Sequence, residues 1–193
     1  AMLDRAEVVI DFSSPTATLE HLRAVVQHRR AMVIGTTGFE GVQLEELKSL
    51  AKHVPCVFSP NMSVGVNLIY KVISEMAKTL GDEYDIEVIE AHHRLKKDAP
   101  SGTALSLATA TRGLTPERIH SIRAGEVIGD HRIEFHGHGE RLTFEHHALS
   151  REIFARGALE AALWLAKKAR NEPGTKGWVT LDEFFEEKIA CSN

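Results

Sequence analysis

Apolar positions fall along the chain in two rhythms, and each rhythm points to a different kind of element. Glu7-Val8-Val9-Ile10-Asp11-Phe12, Ala31 to Ile34 and Pro55 to Phe58 are short, β-branched or apolar runs, as buried strands are. Between the first two, Leu19, Leu22, Val25 and Val26 recur at helical spacing. Ser13-Ser14-Pro15 offers a helix start there, with Ser14 as cap and Pro15 in the first turn. Val42 to Lys52 reads as a second helix. The resulting βαβαβ order calls for a parallel sheet with right-handed crossovers. In such sheets ligands bind beyond the carboxyl ends of the strands. This singles out the loops at Ser13-Ser14, Gly35 to Phe39, and Ser59 to Met62.

From Val64 the pattern changes. Val66, Ile69, Val72, Ile73, Met76 and Leu80 line one face of a long helix. Asp85 to Ile89 reads as a strand, Ala91 to Ser101 as a polar loop, and Gly102 to Thr111 as a helix. Glu126 to Phe135 and Glu140 to Leu149 read as paired strands turning at Gly137-His138-Gly139. A second domain on a more antiparallel sheet is expected. Phe154 to Ala169 is amphipathic, with Trp164 in its core face, and Thr180-Leu181-Asp182-Glu183 is a capping box opening a short terminal helix.

Composition narrows the classes. The 193 residues carry 43% hydrophobic and 26% charged positions and a formal net charge of -4. This is ordinary for a soluble globular protein and does not suggest a basic face for nucleic acid. No apolar run reaches the roughly 18–20 residues that span a bilayer, and no signal peptide is visible. Cys56 and Cys191 read as reduced thiols of a cytoplasmic protein.

The chemistry concentrates in Glu90-Ala91-His92-His93-Arg94-Leu95-Lys96-Lys97-Asp98-Ala99-Pro100-Ser101-Gly102-Thr103-Ala104. Pro100 keeps Ala99 extended, so the cations can converge instead of spreading around a helix. Ser101-Gly102-Thr103 opens a helix whose first N–H groups attract anions, and Gly102 allows close approach to the backbone. An imidazole and an ammonium beside such a cradle suit proton transfer to a small carboxylate substrate. A solvated basic loop with an ordinary helix cap is the plain alternative. A metal at His92-His93 lacks supporting ligand spacing, so no metal is expected. Asn61 is a candidate cap for the following helix. Arg151 reads as a surface residue. His131, His136, His138, His146 and His147 read as a solvated sheet face.

The run Glu90-Ala91-His92-His93, Lys96, Asp98-Ala99-Pro100-Ser101-Gly102-Thr103-Ala104 resembles the signature of the dihydrodipicolinate reductase family. Val9 to Ser13, Val33 to Phe39, Asn61 to Asn67, Arg123 to His131 and Gly139 to Leu142 resemble further family blocks in the same order. The resemblance implies a Rossmann-like α/β cofactor domain, incomplete at its N-terminus, formed by 1–62 and 152–193. It also implies an α+β domain with a mixed sheet at 63–151 for substrate binding and oligomerisation. By the same resemblance, His92 and Lys96 are catalytic, His92 as proton donor/acceptor and Lys96 as proton donor. His93, Gly102 and Thr103 hold the substrate. Gly35, Thr36, Thr37, Ser59, Pro60, Asn61 and Met62 line the cofactor, NADH or NADPH. The implied reaction reduces 4-hydroxy-tetrahydrodipicolinate, a small dicarboxylate, in a homotetramer packed through the sheet domain. The family pattern further places a Gly-rich phosphate loop ahead of Glu7 and a longer connection between Ala108 and Ile119. Their absence here points to segments of a longer polypeptide rather than a decayed gene, and leaves the choice between NADH and NADPH unread. Two other readings remain: a relative that binds a dicarboxylate without a cofactor, and an unrelated lyase or aldolase using Lys96.

Overall fold

The computed structural model describes residues 2–190, in two compact units: residues 2–62 with 155–190, and residues 63–154. The first opens with a single helical turn, α1 (Met2–Arg5). It then alternates β1 (Val8–Asp11), α2 (Pro15–Gln27), β2 (Ala31–Ile34), α3 (Gly41–Ala51) and β3 (Pro55–Phe58). Ser14 caps α2 by accepting from the Ala17 N–H, with Pro15 in the first turn. The strands pair in parallel in the order β1-β2-β3, and β8 (Gly177–Trp178) is added beside β3. Only two residues long, β8 is too short to leave a periodic signature. Its place is set by the Gly177 N–H to Val54 O and Val179 N–H to Cys56 O hydrogen bonds, of 3.1 and 2.8 Å.

Every residue of β2 is buried, as expected for a central parallel strand. Leu19, Leu22 and Val25 of α2 and Leu47 and Ala51 of α3 pack on Met32, Ile34 and Cys56. Burial pushes the Cys56 thiol up to about 12, so it is an inert core residue. Cys191 lies outside the described residues. Helix α6 (Glu152–Asn171) buries Ala158, Ala161, Ala162, Trp164 and Leu165. The Trp164 indole donates to Glu187 at 2.8 Å. Thr180 and Glu183 cap α7 (Leu181–Ala190) reciprocally, as their spacing predicts.

The second unit packs α4 (Val64–Leu80) and α5 (Gly102–Ala110) on one face of a four-stranded mixed sheet. Its strands are β4 (Asp85–His92), β5 (Ile119–Arg123), β6 (Asp130–Gly137) and β7 (Glu140–His147), in the order β5-β4-β6-β7. β4 is parallel to β5 and antiparallel to β6. Ile73, Ile86, Val88, Ala104, Leu107, Ile133 and Phe135 form its core. The hairpin turns at His138-Gly139, where Gly139 takes the left-handed φ of 83°.

Three sequence expectations change. Helix α4 is capped by Ser63, not Asn61, because Asn61 is held in a turn with Ser59. The strand expected from Glu126 begins only at Asp130. β4 continues past Ile89 to His92, because Glu90, Ala91 and His92 find ladder partners in β5. No described helix is long and apolar enough to cross a membrane.

Candidate active site

β4 buries alternate residues, so Ile86, Val88, Glu90 and His92 face the helices together. The expected polar loop therefore starts one residue after His92, and His92 stands on a strand instead. Arg123 lies directly opposite His92 in the parallel register with β5. Its guanidinium grips the Glu90 carboxylate with two bonds, Nη1 to Oε2 at 2.9 Å and Nη2 to Oε1 at 2.8 Å. The same carboxylate meets His92 Nδ1 through Oε2 and accepts the Ser101 N–H through Oε1 at 3.3 Å.

The connecting loop is tied down at both ends. Ala124 N donates to His92 O at 2.9 Å, and Arg94 N donates to Gly125 O at 3.2 Å. Lys96 N donates to His93 O at 3.0 Å, forming a turn from which Lys96 Nζ reaches Asp98 Oδ1 at 2.9 Å. The Ala99–Pro100 peptide is cis. Ser101 then caps α5 by accepting from Ala104 N at 3.2 Å. Gly102 and Thr103 thus occupy the first turn, where the helix itself offers no carbonyl partner to their N–H groups. His92, His93, Lys96, Gly102 and Thr103 all belong to this unit, around one strand end and one helix start. Arg94 and Lys97 point to solvent and Lys96 pairs with Asp98, so the cations converge less than their crowding in the sequence suggests.

Burial disfavours a charge on Glu90, but the bonds from Arg123, Ser121 and His92 outweigh it and hold the acid down at about 2. Burial, with Lys96 and Arg123 nearby, lowers His92 below the usual histidine range despite the opposing pull of Glu90. The imidazole is therefore neutral at pH 7.

His131 corrects the expectation of a solvated face. It points inward with Ile133 and Phe135, is 6% exposed, and sits edge-on to His92 with ring centroids 5.1 Å apart. Burial, with the nearby charges of His92 and His146, pushes it down to about 3. Its Nε2 lies 3.5 Å from Ser101 Oγ. His146 is inward as well, 3.4 Å from Ser63 Oγ, whereas His147 is exposed and His136 is half-buried. His138 is in the turn, so it shares no sheet face with His136. Gly129 closes this side: a β-carbon there would stand 3.2 Å from His92 Nε2 and 3.5 Å from His131 Cε1. Among the described residues, no group of His, Cys, Asp and Glu has the geometry to hold a metal ion.

The cofactor candidates lie in the first unit, at the carboxyl ends of β1 to β3. Asp11 accepts from Ser13 N at 2.8 Å, Thr18 Oγ1 at 2.9 Å and Thr36 Oγ1 at 3.0 Å. Burial opposes its charge, but bonds from Ser13, His21 and Thr18 hold the acid well below the usual carboxylate range. Ser59 Oγ donates to Asn61 O at 2.8 Å. The hydroxyls of Thr36 and Ser59 are thus engaged within the protein, and the Ser59 N–H also donates to Ile34 O at 3.2 Å. Gly35 is pressed by Phe12, whose ring would lie 2.2 Å from a β-carbon there. Phe12 is nonetheless 50% exposed, and Thr37, two residues after Gly35, is exposed as well.

Sequence reasoning assigned no role to Glu90, Arg123, Gly129 or His131. The two-residue spacing of Glu90 and His92 on a strand was a usable signal. The opposition of Arg123 and the approach of Gly129 depend on strand register and left none.

Residues 65–183 match the family model described as dihydrodipicolinate reductase, C-terminus, and residues 1–62 match its N-terminus. A 4-hydroxy-tetrahydrodipicolinate reductase of Syntrophobacter fumaroxidans is 50% identical over 91% of this chain and 73% of its own length. One from Hahella chejuensis is 47% identical over 85% and 70%. The dipicolinate-bound dihydrodipicolinate reductase of Paenisporosarcina sp. TG-14 superposes with a TM-score of 0.69 at 28% identity, covering 91% of this chain and 72% of that one. Matched along both halves, and half identical to one reductase over nine-tenths of its length, the chain belongs to the dihydrodipicolinate reductase family.

Proposed function

We propose that this chain reduces 4-hydroxy-tetrahydrodipicolinate to tetrahydrodipicolinate with NADH or NADPH, in the diaminopimelate route to lysine. The observation that carries the reading is His92: a neutral, oriented imidazole at a strand end beside the N-terminus of α5. The dicarboxylate bound by the Paenisporosarcina relative supports a substrate of that chemistry.

The reaction adds a hydride and a proton to the substrate and releases water. Gly102 and Thr103 hold one substrate carboxylate through their first-turn N–H groups, and His93 contacts the substrate. Lys96 and His92 are the proton-transfer groups, set where charge develops as the ring accepts hydride. The nicotinamide cofactor suits the first unit, because Phe12 leaves a half-exposed apolar ring against Gly35 at the carboxyl edge of the sheet. Gly35, Thr36, Thr37, Ser59, Pro60, Asn61 and Met62 would hold it, Thr36 by backbone. When bound, its reduced ring supplies the hydride. The same proposal includes a cytoplasmic homotetramer assembled through the second unit's sheet. In support, the face opposite α4 and α5 presents Ile122 at 49% exposure.

The test is oxidation of NADH or NADPH by the full polypeptide, dependent on the substrate, together with calorimetry of 2,6-pyridinedicarboxylate. Substrate-dependent oxidation is expected. Dicarboxylate binding without any nicotinamide binding would overturn the proposal. Gly129→Ala should lower kcat/KM about tenfold with the fold intact, because the methyl group crowds the edge of His92 that the substrate needs. An unchanged kcat/KM would mean that edge is not used.

A further inference from the structure

Glu90 is a fully buried carboxylate whose two oxygens are both engaged. Arg123 donates one bond to each oxygen. That pair alone balances the charge, and a buried ion pair is a weak source of stability compared with apolar packing. Besides a bond from Ser121, two further contacts go to groups of the proposed reaction. One is His92 Nδ1. The other is the N–H of Ser101, which leads directly into Gly102 and Thr103.

We propose that Glu90, clamped by Arg123, is a positioning residue for His92: it holds the imidazole as the Nδ1–H tautomer, so that Nε2 exchanges the proton with substrate. An ionised carboxylate only accepts hydrogen bonds, so the nitrogen facing it carries the hydrogen. The bare Nε2 then points toward Gly129, where the missing side chain leaves that edge of the ring uncovered. Because Glu90 and His92 share one face of one strand, the orientation does not depend on the loop. Through Ser101 the same carboxylate ties the proton-transfer group to the start of the carboxylate-holding helix. The charged and titratable groups around the imidazole are Glu90 on its own strand, Lys96 with its partner Asp98 in the loop, Arg123 on β5 and His131 on β6. Of these, Glu90 is the contact that favours the imidazolium when His92 takes up a proton.

The inference rests on the reading of His92 as a proton-transfer group, and the experiment separates the two. Nitrogen NMR of histidine-labelled protein, assigned with His92→Gln, reads the tautomer directly. Protonated Nδ1 and bare Nε2 are expected in the wild type, and the opposite tautomer overturns the inference. In Glu90→Gln, Arg123 retains the amide oxygen and the NH₂ group faces Nδ1, which favours the reversed tautomer. kcat should then fall on the order of 10²-fold with KM little changed. The acid limb of the pH–rate profile should move to lower pH, because the imidazolium has lost its anion. Glu90→Asp, which keeps the charge, should move that limb back toward the wild type. A folded Glu90→Gln with wild-type tautomer and an unmoved acid limb sinks the proposal. If Glu90→Gln does not fold, the wild-type tautomer decides. If His92→Gln leaves turnover intact, the proton-transfer reading fails first. If His92→Gln abolishes turnover but the tautomer is reversed in the wild type, only the role of Glu90 fails.

Discussion

Replacing His92 with Gln is expected to lower kcat by about 10²- to 10⁴-fold, the usual contribution of a positioned acid–base group. Gln can still donate to Glu90 Oε2 and fill most of the ring's volume, so β4 and its ladder to β5 should survive. It cannot carry a proton to or from substrate. The loss should therefore appear in kcat, while nicotinamide affinity, measured by fluorescence titration, stays within about twofold, because the cofactor candidates lie in the other unit. Equal losses in turnover and cofactor affinity would assign His92 a structural role instead. In the wild type, the acid limb of kcat/KM should lie below the ordinary histidine value near 6.5, since burial lowers the His92 pKa in the free enzyme.

The second large effect concerns stability and pH. His131 has an ordinary value of 6.5 and is held at about 3 in the folded chain by burial first, then by the nearby charges of His92 and His146. Below pH 6.5 the unfolded chain takes up a proton that the native chain refuses until about pH 3, so acid favours unfolding across that window. Each pH unit within it is worth about 1.4 kcal/mol for one proton, and the total is a few kcal/mol. His92 acts in the same sense. Glu90 joins lower down: its stabilisation is complete above 4.5 and is lost as pH falls toward about 2. The denaturation midpoint of the second unit should therefore fall steadily from pH 7 to pH 4. His131→Gln should flatten that slope whatever it does to stability at pH 7. An equal slope in the variant would show that the His131 proton is not what couples acid to unfolding.

The legibility of this chain follows the range of the interactions involved. Local signals survived well. Ser14-Pro15 and Thr180 to Glu183 cap helices where their spacing indicates, because a cap involves only a few adjacent residues. The apolar run Ala31 to Ile34 is a fully buried central strand. Asn61 misled because capping depends on which of several nearby polar side chains meets the first N–H groups, and Ser63 does so. The histidines of β6 and β7 misled because alternation alone does not say which face of a two-sided strand is covered. Only the packing of α4 and α5 turns His131 and His146 inward.

By itself the sequence determined the family, the alternation of elements and the stretch from Glu90 to Ala104 in which proton-transfer and anion-binding groups sit together. These are properties of spacing and residue type, and both are written along the chain. The tertiary structure decided how those groups are wired. Strand register sets Arg123 opposite His92, the pleat puts Glu90 on the same face, and a glycine from the loop before β6 leaves Nε2 open. The register and the glycine bring together residues far apart in the chain, and no local pattern encodes which partner a buried carboxylate will find.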